Sequence, residues 1–99
     1  MRRGTTPTHI FHVPVDLTSA VEAYITYKQD GQVKVEKSIN DMTITEDQIT
    51  VELTQTETLA FSTIGDVQIQ CRARLLDESA LASCIKTVPV CKILKEGVI

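Results

Sequence analysis

Apolar and polar residues alternate in steps of two along most of this chain, the period of half-buried β-strands. The most regular stretch is GDVQIQCRARLL, residues 65–76. Val67, Ile69, Cys71, Ala73 and Leu75 fall on one side, and Gln68, Gln70, Arg72 and Arg74 on the other. AVEAYITYKQ repeats the pattern, with Val21, Ala23, Ile25 and Tyr27 against Glu22, Tyr24, Thr26 and Lys28. Asp30-Gly31 follows, a pair suited to the positive φ angles of a tight hairpin turn. QVKVEKSI then returns, with Val33 and Val35 predicted inward and Lys34 and Glu36 outward. MTITEDQITVEL reads as a second hairpin. Met42 and Ile44 precede a polar turn at Glu46 and Asp47, and Ile49, Val51 and Leu53 follow it.

The remaining segments complete an all-β pattern. PTHIFHVPV is short and bounded by Pro7 and Pro14, which suits an edge strand. LLDES is a polar turn, and ALASCIKTVPVCKIL supplies the last one or two strands, with a break at Pro89. Only LTQTETLAF departs from alternation. Thr54 with Glu57 three residues later is the signature of a capping box opening one turn of helix. Leu59 and Phe61 are expected to plug the end of the core beyond it.

Short strands with turns at regular intervals predict a two-sheet antiparallel sandwich of about seven strands with one short helical corner. The corner falls between the fifth and sixth strands, where immunoglobulin-like sandwiches cross between sheets. The expectation is therefore an immunoglobulin-like or fibronectin III-like fold, in a single domain over residues 1–99. Cys71 suits the sixth-strand position of an antibody-type disulfide. The second strand offers Val21, Ala23 and Ile25 in place of a partner thiol, so no such disulfide is expected.

Composition narrows the function classes. At 42% hydrophobic and 23% charged, the 99 residues are those of a folded domain. A net charge of −3 supplies no general attraction to nucleic acid or anionic lipid. Aromatic residues are 4% and Trp is absent, poor material for stacking bases or sugars. Cys71, Cys84 and Cys91 are odd in number and form no CxxC pair, which reads as reduced thiols in a cytosolic protein. MRRGTTPTHI has no apolar run behind its arginines, so no signal peptide is read there. No stretch approaches the roughly 20 apolar residues of a membrane helix. Residence in the cytoplasm is the expectation.

Candidate chemistry is sparse. There is no GxSxG elbow, and a cysteine nucleophile would need a neighbouring histidine base. His9 and His12 are three apart, which on a strand sends them to opposite faces. The cysteine spacings match no zinc pattern. Glu46/Asp47 and Asp77/Glu78 lie in predicted turns, where carboxylates are ordinarily solvated. No catalytic, cofactor-binding or metal-binding residue is assigned, no small-molecule substrate is expected, and the chain reads as a non-enzyme. The row Gln68, Gln70, Arg72 and Arg74 has two protein-level readings. It is the wet side of a central strand paired with Lys34 and Glu36 across neighbouring strands, or a face on which another subunit docks. Outward Tyr24 and Thr26, and the apolar tail KILKEGVI, also suit an interaction protein.

Four segments carry a resemblance that spans nearly the whole chain: RRGTTPTHIFHVPVDL, AYITYKQDGQVKVEKS, ITVELTQTETLAF and VQIQCRARLLDESALAS. Together they resemble small proteins encoded in phages and prophages of gut Firmicutes. The resemblance implies a compact β-sandwich from tail, neck or baseplate gene modules, with a structural or virion-assembly role and no active site. It further implies other phage structural proteins, or copies of itself, as partners, to which the charge balance and the lack of a membrane helix add no nucleic acid and no membrane. Incorporation into a virion, from the cytoplasm of a bacterial host, is part of the same expectation. A carbohydrate- or cell-surface-binding module is the alternative.

Overall fold

Pro7 and Pro14 bracket the first strand, β1 (Thr8–His12). The computed structural model describes all residues, Met1–Ile99. After β1 come β2 (Ala20–Gln29), β3 (Gln32–Ser38), a 3₁₀ turn (Ile39–Asp41), β4 (Met42–Ile44) and β5 (Gln48–Glu52). A short helix, α1 (Gln55–Leu59), leads to β6 (Val67–Leu75), β7 (Ala80–Ala82) and β8 (Lys86–Val88). One antiparallel sheet has the order β1-β5-β4. The other runs β3-β2-β6, with β7 and β8 both pairing with β6. β7 and β8 are one strand interrupted at Ser83, Cys84 and Ile85, where the register against β6 slips by one residue. Counted so, the sandwich has seven strands.

The turns follow from local residues. Asp30 and Gly31 both take positive φ, 53° and 76°, as the β2–β3 hairpin requires. Around α1, the Glu57 amide donates to Thr54 Oγ1 at 3.2 Å and the Thr54 amide to Glu57 Oε1 at 2.8 Å. These two bonds satisfy donors that the first helical turn leaves free. Beyond the helix, Phe61 is fully buried, but Leu59 is half-buried and Thr58 takes the core position expected for it. Thr58 can sit there because its hydroxyl donates to the Thr5 carbonyl at 2.9 Å.

Two expected core residues face solvent instead. A bulge between Tyr27 and Lys28 sets Lys28 opposite Val33, so Val33 turns outward and is 52% exposed. A second bulge skips Val21, which reaches the surface. The core itself is built from alternate residues of both sheets. Ile25 and Tyr27 come from β2, Ile49 and Val51 from β5, and Val67, Ile69 and Cys71 from β6. Each fully buried aliphatic side chain contributes about 1.5–3 kcal/mol.

The strand order matches the B-E-D and C′-C-F-G sheets of a variable-type immunoglobulin sandwich. This corrects the sequence-based comparison of Cys71 with Val21, Ala23 and Ile25. Those residues lie in the same sheet as Cys71, with Ile25 its direct register partner. The strand in the B position is β1, which turns His9 and Phe11 inward. All three cysteines are free thiols.

The leading segment makes one parallel bridge, Arg2 with Cys91. The Cys91 amide donates to the Met1 carbonyl at 2.8 Å, and Arg3 Nε to the Phe61 carbonyl at 2.8 Å. This segment therefore lies along the far end of the β8 side. It does not run beside β1.

Candidate functional site

The Gln68–Arg74 row lies on the solvent side of the sheet that contains β3, β2 and β6. Its direct neighbours are Lys28, Thr26, Tyr24 and Glu22 on β2, in that order. Lys34 and Glu36, expected to face the row, lie on β3, one strand beyond β2. Gln70 donates to the Ser83 carbonyl at 3.0 Å and helps hold the β7–β8 kink. Arg74 reaches Glu22 only at 3.5 Å, in an exposed pair of little energetic weight. Tyr24 stands 40% exposed beside Arg72. The row is a solvated face whose members are partly occupied with their own sheet.

The most distinctive feature lies on another side, at β1. In its ladder with β5, the backbone bonds pass through Pro7, His9, Phe11 and Val13. The alternation of antiparallel pairs therefore sends the N–H and C=O groups of Thr8, Ile10 and His12 away from the sheet, where they meet no partner. Such a row is a template for pairing with another strand. Sheets commonly blunt their edges with charge, proline, bulges or very short strands. The other edges here are blunted in those ways. β3 carries Lys34, Glu36, Lys37 and a bulge, β4 has three residues, and the β7–β8 strand is broken into two three-residue pieces. β1 has none of these devices within Thr8–His12, and Ile10 stands 54% exposed on it.

Behind that edge the sandwich is open. A cleft of about 820 Å³ separates β1 from β7 and β8 and reaches the core residues Ile49, Ile69 and Cys71. Phe11, Val13, Leu17, Leu81 and Val88 supply its apolar walls. His9, His12 and Lys86 also line it, and no carboxylate does. This is the side of the sandwich that a strand preceding β1 would close.

His9 sits in the cleft wall with Nδ1 2.7 Å from the hydroxyl of buried Tyr27, a bond that joins the two sheets. Burial, aided by the positive N-terminus, holds the His9 imidazole below its usual pKa. Burial raises the Tyr27 phenol and the Cys71 thiol. All three are thus held neutral, His9 and Cys71 as part of the cleft lining and Tyr27 in the core behind it, and a thiol in that state is a poor nucleophile. Asp16, Glu46 and Asp47 line a shallower depression of about 600 Å³ at the adjoining loop end. Asp77 accepts from the Ser79 amide at 2.9 Å and shapes its own turn, as the sequence suggested.

Sequence reasoning identified β1 as an edge strand and missed the cleft. The uncharged run HIFH between two prolines is the signal that was available.

No family model matches this chain, and no curated protein matches it. Among solved structures, it is similar to the immunoglobulin-like domain of mouse leukocyte-associated immunoglobulin-like receptor 1, determined as a strand-swapped dimer. The two share 16% identity over 93% of this chain and 85% of the other, with a TM-score of 0.52. The likeness shows an immunoglobulin-like sandwich. No helix of the chain is long and apolar enough to cross a membrane.

Proposed function

We propose that this chain is a non-enzymatic protein–protein docking module in which β1 receives a strand from a partner, in the assembly of a phage or prophage particle. The observation that carries the docking reading is the unpaired, uncharged edge of β1 above an apolar cleft. Strand addition at such an edge draws affinity from main-chain bonds and specificity from the pockets beside them. The fold neighbour, a strand-swapped dimer, is an immunoglobulin-like sandwich in which strands exchange between chains. The phage setting is supported by the sequence resemblance alone, and it makes tail, neck or baseplate proteins the partners. The neutral state of His9, Tyr27 and Cys71 supports the non-enzymatic reading.

The test is affinity capture from an induced, prophage-bearing host, comparing the natural chain with Ile10→Pro and with an Arg72→Ala/Arg74→Ala double variant. Proline at position 10 removes one outward N–H and spares the bonds to β5. Docking through β1 predicts a virion component captured by the natural chain and the arginine variant, and lost with Ile10→Pro. Capture abolished by the arginine variant alone would move the docking site to the β6 face. Particles that assemble and infect normally without the protein would remove the assembly role.

A further inference from the structure

Resting on that docking reading, we infer that the cleft between β1 and β7–β8 is a donor-strand site. It takes one extended segment of a different protein, with apolar side chains at alternate positions and no lysine or arginine. Both rims of the cleft are strand edges. On β1 the free groups belong to Thr8, Ile10 and His12, and on β7 to Ala80 and Ala82, the residues between those bonded to β6. An apolar small molecule would fill the cleft and leave those backbone groups unpaired. A strand satisfies the β1 row, and its period of two sends every second side chain into the cleft. Those side chains would meet Phe11, Val13, Leu81 and Val88, which the sandwich leaves half-buried.

The chemistry of the lining selects among strands. With Lys86 present and no carboxylate in the lining, a neutral or acidic segment is favoured over a basic one. The chain's own exposed tail does not fit. Extended, Lys92–Ile99 would present either Ile93, Lys95, Gly97 and Ile99, or Lys92, Leu94, Glu96 and Val98. Each row puts a lysine inside. The tail is also held elsewhere, by two bonds between Ile99 and the Gln55 side chain and by the 2.8 Å pair of Arg3 with Glu96. With the tail excluded, the segment is assigned to another protein.

The experiment uses a capped nine-residue peptide, valine alternating with threonine and one glutamate at each end, and a control with serine at every valine. Each is titrated into the full chain and followed by residue-resolved NMR, with amide protection read at Thr8, Ile10 and His12. A donor-strand site predicts that the valine peptide binds at least tenfold more tightly than the control, protects those amides and shifts the Leu81 and Val88 methyls. It also predicts loss of binding in Ile10→Pro. Equal affinity of the two peptides, both sensitive to Ile10→Pro, would overturn the cleft inference and leave strand docking standing. Valine-peptide binding insensitive to Ile10→Pro would overturn it in favour of simple apolar filling. Binding of neither peptide would overturn it as well, with the capture experiment deciding docking separately. Amides of β1 already protected in a peptide-free dimer would make a second copy the occupant, and overturn it.

Discussion

His9 Nδ1 and the Tyr27 hydroxyl meet at 2.7 Å between the sheets, so the open-edged strand β1 is tied to the opposite sheet through one polar contact in an apolar wall. Tyr27 packs in turn on Phe61, with ring centroids 6.1 Å apart. Removing the hydroxyl in Tyr27→Phe leaves the His9 nitrogen without its partner. A loss of about 1–2 kcal/mol is expected, visible as a lower urea midpoint with an unchanged slope.

The same histidine gives stability a pH dependence. Its folded-state pKa lies below the ordinary 6.5, because burial disfavours the imidazolium. The folded chain therefore binds fewer protons than the unfolded chain as pH falls through 6.5. Stability is full above that value and declines toward the lowered folded pKa. Urea unfolding at pH 7.5 and pH 5.5 should give the lower midpoint at pH 5.5, and His9→Gln should shrink the difference.

Gln29 is a buried amide with a defined task. Its Nε2 donates to the Ser62 and Gly65 carbonyls at 2.7 and 2.9 Å, and its Oε1 accepts from the Ser62 amide at 2.8 Å. Gln29→Leu keeps the bulk and strands those backbone groups. Each buried group left unpaired costs about 1–3 kcal/mol, so this variant should be among the most destabilised single changes in thermal unfolding.

How far the sequence reported these features depended on their range. Asp30-Gly31 and Thr54 with Glu57 act within four residues, and both formed as their chemistry demands. Alternation placed Ile25, Tyr27, Val67 and Ile69 in the core. Val21 and Val33 escaped because a bulge is decided by the partner strand, which alternation within one segment does not encode. Gln29 continues the inward row of β2, yet its polarity hid a core role that exists only once the Ser62–Gly65 corner folds over it. The cleft was hidden for a similar reason. It depends on β1 and β7–β8 lying on the same open side of the sandwich, a relation between distant segments. The uncharged HIFH run was legible, and its meaning was not until the strand order put it at an edge.

The thiols should separate by accessibility. Cys71 is 3% exposed with its ionisation suppressed by burial, while Cys84 and Cys91 are exposed. A colorimetric disulfide reagent at neutral pH should modify two thiols quickly and the third only after denaturant is added. Fast reaction of all three would mean that the floor of the cleft opens wide enough for the reagent to reach the Cys71 sulfur.

Amide hydrogen exchange along β1 in the free protein tests the open edge most directly. Phe11, bonded to β5, should exchange slowly, while Ile10 and His12 on either side of it exchange at rates typical of solvent-facing amides. Protection of Ile10 equal to that of Phe11 would mean that the edge is already paired, and would contradict an open docking strand.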